Sequence, residues 1–380
     1  MMTRYNEDGI IEDLEKMGQA NEIVLLRGNR YDTLVGKGLQ LKINCSVGLS
    51  DKEQLKIETD KVAKISCFDV LPDTMMDLSI VSINNPLYCL IQKEIGCPVG
   101  TVPVYICFDS EKGIDKNRFL EEIERQAQNG VAFMTLHFTA IDEIYRKTLK
   151  RNISVISRGG SLMLRDLYLN KRKQNFLLEY FDDICKILKK YSVVVSIGTT
   201  FRPSTLYDAL DEIQLSEIKM QKDMVKKLCK KGISVMMEGV GHISLKDLRR
   251  YVELIRKEFY IPFMPLGPIP TDRATGWDHV SAAIGASYMS LLNGADIINA
   301  VTREEHTGGI PTIDSIYEAI KSAQVVVNSI NDVRFFNKYN KAQDNMGNNC
   351  MRIIKSDIGC NRCKEECPFI LNNMFYNNEV

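Results

Sequence analysis

The chain has 380 residues, 44% hydrophobic and 26% charged, enough to bury one large α/β core plus a small appendage. Its 49 basic residues balance 49 acidic ones, so charge gives no case for nucleic acid or an anionic membrane surface as partner. No apolar run reaches the roughly 20 residues of a membrane span, and the opening MMTRYNEDGIIEDLEKMG lacks the apolar stretch of a signal peptide, which predicts a cytoplasmic protein.

Residues 1–39 read as a short N-terminal extension. From residue 40 to 335, apolar β-branched runs alternate with amphipathic stretches. The strand candidates are 41–48, 74–80, 100–108, 131–138, 153–160, 192–201, 233–242, 261–268 and 295–302. Helices such as RFLEEIERQAQNG and FLLEYFDDICKILKKY fall between them, with apolar positions recurring at three and four. A unit of roughly 30–40 residues repeated over this length predicts a TIM-type (β/α)8 barrel, with nine candidates for eight places. No GxGxxG follows the first run, which disfavours an open doubly wound sheet. Residues 336–380 read as a C-terminal arm. Ser46, Asp77, Tyr105, His137, Ser157–Gly160, Arg202, Glu238 and His242 stand where the strand candidates end, the active-site edge of a barrel.

Of 11 cysteines, Cys45, Cys67, Cys89, Cys97, Cys107, Cys185 and Cys229 stand singly and read as reduced thiols, mostly buried. Cys360, Cys363 and Cys367 form a Cys-x2-Cys-x3-Cys-Pro run, with Cys350 upstream. Three close thiolates suit zinc or a cubane iron–sulfur cluster. No second CxxC pair or following histidine completes a zinc set. A [4Fe–4S] cluster on three cysteines leaves one iron open to chelate S-adenosylmethionine. Of the four histidines, His137, His242, His279 and His306, those in MEGVGH and REEH could offer two imidazoles to a divalent metal. SRGGS (157–161) places an arginine beside paired glycines, either a phosphate cradle or a tight strand–helix turn.

These pieces, in this order, resemble the phosphomethylpyrimidine synthase (ThiC) superfamily. The segments that carry the resemblance are MMDLS, VGTVPVY, GVAFMTLH, ISRGGS, FRPSTLYDALDEIQLSE, MMEGVGH, LGPIPTD, GWDHVSAAIGA and VTREEH. The resemblance implies a noncanonical radical S-adenosylmethionine enzyme acting on 5-aminoimidazole ribonucleotide (AIR), with a reducing electron donor. It implies a homodimer, or a heterodimer with a paralogue. By matched motif, His242 and His306 would hold a divalent metal (zinc or iron). Cys360, Cys363 and Cys367 would hold the [4Fe–4S] cluster. Ser46, Met76, Tyr105, His137, Ser157, Arg158, Gly159, Thr199, Arg202, Glu238 and Met264 would line the substrate site, the Ser157–Gly159 loop on the phosphate. Glu238 and His137 are the candidates for moving protons during rearrangement.

The departures from the family pattern bear on the product. Ser46 replaces an asparagine, Thr199 an aspartate, Met264 a tyrosine and Val240 a proline, and the cysteine run is one residue shorter. Losing polar contacts costs the original ligand roughly 1–3 kcal/mol each where a partner is left unpaired. The retuned pocket favours the paralogues that turn AIR into 5-hydroxybenzimidazole, the lower-ligand base of cobamides. The alternatives are synthesis of hydroxymethylpyrimidine phosphate for thiamin, and a helper subunit of a paralogous synthase.

Overall fold

The computed structural model describes residues 22–335, 362–368 and 371. The chain divides into one unit running to Ile330 and a second beginning at Asn331. In chain order the strands are β1 (Ile23–Leu26), β2 (Thr33–Gly36), β3 (Lys42–Val47), β4 (Thr74–Asp77), β5 (Val99–Thr101), β6 (Phe108–Asp109), β7 (Gly113–Ile114), β8 (Phe133–Leu136), β9 (Val194–Ile197), β10 (Val235–Met237), β11 (Val240–His242), β12 (Leu266–Ile269) and β13 (Ile297–Asn299). Among the described residues of the N-terminal extension, β1 and β2 form an antiparallel hairpin.

Seven strands make a curled parallel sheet in the order β10-β9-β8-β5-β4-β3-β13. Their nearly continuous burial explains the unbroken apolar runs, since helices cover the outer face and side chains fill the inner one. The edges of this sheet are joined through one segment. Phe263 bridges Met237 in parallel, with Met237 N donating to Pro262 O at 3.0 Å and Met264 N to Met237 O at 2.9 Å. On its other side Phe263 O accepts from Asp296 N and Ile297 N at 2.9 and 3.1 Å. The Asp296 carboxylate returns the bond, accepting from Phe263 N at 2.9 Å, and pairs with Arg256 at 2.8 Å. The Arg256 guanidinium also lies over the Phe263 ring.

The surplus strand candidate is 153–160. It forms no strand: helix Arg158–Leu169 starts inside it, capped by Ser157, whose hydroxyl accepts from Gly160 N at 3.1 Å. The reason is topological. β8 and β9 pair directly from Phe133↔Val194 to Leu136↔Ile197, so no edge between them is open to another strand. The β-branched text of 153–156 is tied down instead by Ser204, whose hydroxyl donates to Ile153 O. The stretch read as one helix over 176–191 is two, Phe176–Glu179 and Phe181–Lys190, broken at Tyr180.

The helices follow their apolar spacing. Lys116–Gln128 begins where the Asp115 carboxylate accepts from Arg118 N at 2.8 Å, and it buries Phe119, Ile123, Gln126 and Ala127 along one face. Phe119 meets Phe176 edge-on with ring centroids 5.0 Å apart. Burying each of Phe119 and Ile123 stabilises the fold by about 1.5–3 kcal/mol. No helix among the described residues is long and apolar enough to cross a membrane.

Because Asp296 ties Phe263 to Arg256, Asp296→Ala would leave a guanidinium without its counter-ion and a backbone N–H without its acceptor. The expected loss is about 2–4 kcal/mol, read as a lower denaturation midpoint with unchanged steepness.

Candidate active site

All seven strands of the main sheet run parallel, so their C-terminal ends lie along one edge. His137 immediately follows β8 and is buried between two glycines. A Cβ at Gly159 would come within 2.4 Å of its ring, and one at Gly198 within 2.8 Å. Close approach of an imidazole from both sides explains glycine at both positions. The His137 Nδ1 is buried without a hydrogen-bond partner. Burial, with the charge of Arg202, pushes its pKa down to about 3, so the ring is neutral.

Glu238 follows β10 and is also buried. Its carboxylate accepts from the Thr135 hydroxyl at 3.1 Å and from Thr199 N at 3.4 Å. Burial raises its pKa, while Arg202, Thr199 N–H and Thr135 pull the other way. Tyr105 sits in the short helix Val104–Cys107 after β5, with the Arg158 guanidinium 5.3 Å from its ring centre. Burial raises its phenol, against Arg158, Arg202 and the Gly159 backbone N–H. Ser157 caps the helix that presents Arg158 and Gly159 at its first turn. Among the described residues neither Arg158 nor Arg202 pairs with a carboxylate; Arg202 donates to Thr199 O at 3.4 Å. The structure thus gathers Tyr105, His137, Ser157, Arg158, Gly159, Thr199, Arg202 and Glu238.

Ser46 and Met76 are register neighbours on β3 and β4. Below them Asn44 accepts from the Thr74 hydroxyl and donates to Asn299, a buried amide chain across β4, β3 and β13. Asp77 turns away: it accepts from Ser79 and from Tyr88 N and so caps the following helix. Met264 is fully buried in the core. The Thr199 side chain is taken by Gln221, whose amide donates to its hydroxyl at 3.2 Å.

His242 and His306 meet, Nε2 to Nε2, at 3.1 Å. Each Nδ1 is bonded to a carboxylate, His242 to Asp272 at 2.7 Å and His306 to Asp278 at 2.6 Å. With both Nδ1–H groups donating, both Nε2 lone pairs face each other, an arrangement that calls for a cation or a shared proton between them. Two nitrogens on a tetrahedral zinc at about 2.05 Å lie roughly 3.3 Å apart, so this donor pair fits a metal. Among the described residues no group of three or more His, Cys, Asp and Glu gathers as a complete ligand set. Asp272 and Asp278 escape a reading based on ligand types alone, although both stand in the quoted segments LGPIPTD and GWDHVSAAIGA. Two residues before His242, Val240 is fully buried with φ +63 and donates its N–H to the Tyr251 hydroxyl at 3.3 Å. That left-handed conformation is strained for a β-branched residue.

Of the cysteine run, Cys360 lies outside the described residues. Cys363 and Cys367 stand at the two ends of one 3-10 turn, Lys364–Glu366, with Glu366 N donating to Cys363 O at 3.0 Å. Both are free thiols.

A curled parallel sheet with imidazole, carboxylate and guanidinium groups gathered at its C-terminal edge has the construction of an α/β enzyme. Residues 6–357 match the Radical SAM ThiC family; the chain belongs to that family and is a radical SAM enzyme. It is 35% identical to a phosphomethylpyrimidine synthase from Caldanaerobacter subterraneus subsp. tengcongensis over 341 residues, 85% of this chain and 76% of the relative. It is 31% identical to one from Pyrococcus abyssi over 359 residues, covering 90% and 82%.

The neutral His137 has a pH signature. The unfolded chain takes up a proton near the ordinary pKa of 6.5 and the folded one only near 3, so His137's stabilising contribution is complete above pH 6.5 and lost as pH falls toward 3. Its ring resonances should stay constant from pH 8 to pH 5; a midpoint near 6.5 would mean a solvated ring.

Proposed function

We propose that this chain rearranges 5-aminoimidazole ribonucleotide to hydroxymethylpyrimidine phosphate, the reading the names of its relatives favour over 5-hydroxybenzimidazole. The observation that carries it is the pairing of two guanidiniums without carboxylate partners among the described residues, Arg158 and Arg202, with a capped helix N-terminus and a neutral imidazole. A phosphorylated ribose bearing an imidazole matches that set. Ser157, the helix N-terminus and Arg158 would hold the phosphate. Tyr105 and His137 would flank the sugar and base, His137 as a neutral hydrogen-bonding group. Glu238, its pKa raised, is the group placed to hold and release a proton at Oε1 or Oε2.

The barrel reading is part of this proposal: with Phe263 as the eighth member, the seven-stranded sheet becomes a closed (β/α)8 barrel with the site at its mouth. Cys360, Cys363 and Cys367 would hold a [4Fe–4S] cluster and His242 with His306 a divalent metal. Bound there with S-adenosylmethionine, the cluster supplies the radical chemistry of the family. The protein's own part is to fix the ribose, anchor the phosphate and exclude water.

The benzimidazole product is the second reading, favoured by one arrangement. Where the family pattern has an aspartate, Thr199 has its hydroxyl turned to Gln221, and Met264 is sunk in the core where the pattern has a tyrosine. That wall therefore offers fewer polar contacts than the family pattern would.

Anaerobically reconstituted protein given AIR, S-adenosylmethionine and a reductant should yield hydroxymethylpyrimidine phosphate by mass spectrometry. 5-Hydroxybenzimidazole would establish the second reading, and neither product would overturn both. Separately, Asp278→Asn should weaken zinc or iron binding about 10–100-fold by freeing the His306 ring. Unchanged affinity in metal titration would remove the two-histidine site.

A further inference from the structure

The segment Thr199–Arg202 is held from both faces by buried ionisable groups that the proposed chemistry does not use. Glu217 is fully buried, and its Oε1 accepts from Thr200 N at 2.6 Å and from the Thr139 hydroxyl at 2.6 Å. Its Oε2 accepts from Phe201 N at 2.9 Å. On the carbonyl side, Arg151 donates to Phe201 O at 2.9 Å and to Arg202 O at 3.3 Å. The same guanidinium grips Asp211 with two bonds of 2.9 Å. Asp211 in turn caps helix Glu212–Lys230, accepting from Ile213 N and Gln214 N, and that helix carries both Glu217 and Gln221. One helix thus holds two amide protons and the Thr199 side chain of this four-residue segment directly, and two of its carbonyl oxygens through Arg151 bound to the helix cap.

Charge-assisted bonds are roughly twice as strong as neutral ones, and burial keeps water from replacing them. What the segment carries is Arg202, a guanidinium without a carboxylate partner among the described residues, and Thr199 N, which donates to Glu238. We infer that Glu217 and Arg151 are positioning residues, a clamp that aims Arg202 at the phosphorylated substrate and Thr199 N–H at Glu238. The substrate half of this inference rests on the AIR reading above; the clamp itself does not.

The test uses the full chain, purified anaerobically, as Glu217→Gln and Arg151→Lys. The reference is Arg256→Lys, which weakens a partly buried pair away from the strand-end site. Amide exchange of the peptide covering 199–202 should quicken about tenfold or more in both clamp variants, with the rest of the sheet protected as in the unaltered chain. KM for AIR should rise about tenfold while kcat falls less, because Arg202 is displaced rather than removed. Arg256→Lys should move neither. Exchange that quickens evenly over the whole sheet would overturn the clamp, and local loosening with KM unchanged would overturn the aiming of Arg202 at the substrate. Should both variants fail to fold, Gln221→Leu loosens only the Thr199 side chain; a KM no different from the unaltered chain would then count against positioning. If the unaltered chain does not turn over AIR, the substrate reading fails, and local against uniform exchange still decides the clamp.

Discussion

Burial sets the charge state of this site, and one guanidinium bears on all of it. The positive charge of Arg202 bears on His137, Tyr105, Glu217 and Glu238, in each case opposing a proton. On His137 it acts with burial, and the imidazole stays neutral. On the two carboxylates it acts against burial, which nevertheless wins: Glu217 is pushed up to about 7, and Glu238 is raised as well. A shift of Arg202 would therefore be felt by several titratable groups together. That gives a physical reason for so much buried hydrogen bonding behind a short segment at the end of β9.

The two-histidine pair obeys a different constraint. Its order comes from behind, through Asp272 and Asp278, which fix the orientation of both rings. Asp272 also accepts from Leu206 N, so the segment that follows Arg202 in the chain is tethered to the carboxylate that orients His242. The substrate-facing cluster and the imidazole pair thus share a backbone connection. They are held by different groups, Glu217, Arg151 and Gln221 on one side and two aspartates on the other.

Much of this was legible in the residues. Parallel strands buried on both faces leave unbroken β-branched runs, and seven of the nine predicted runs overlap strands of the main sheet. The text at 153–160 misled because its Ile-Ser-Val-Ile pattern suits a strand equally well, and only the direct pairing of β8 with β9 excludes it. The strand-end polar residues could be found because their position relative to the runs is a property of sequence. Glu217, Arg151, Asp272 and Asp278 could not be found that way. They act from helices and long loops through backbone groups or second rings, and the partners named above lie between 16 and 78 residues away. Asp77 shows the opposite error: it ends a strand, yet its carboxylate serves a helix cap.

Val240 makes one family residue hard to accommodate here on its own. The family pattern has proline at this position, whose ring locks φ near −65° and which carries no N–H. Here the residue sits at φ +63 and its N–H is engaged by Tyr251. A lone return to proline would meet a backbone turned the wrong way and leave the buried Tyr251 hydroxyl without its donor. The route back must pass through a coordinated change of the Gly239–Gly241 turn. Val240 therefore couples the choice of residue here to the conformation of the whole turn.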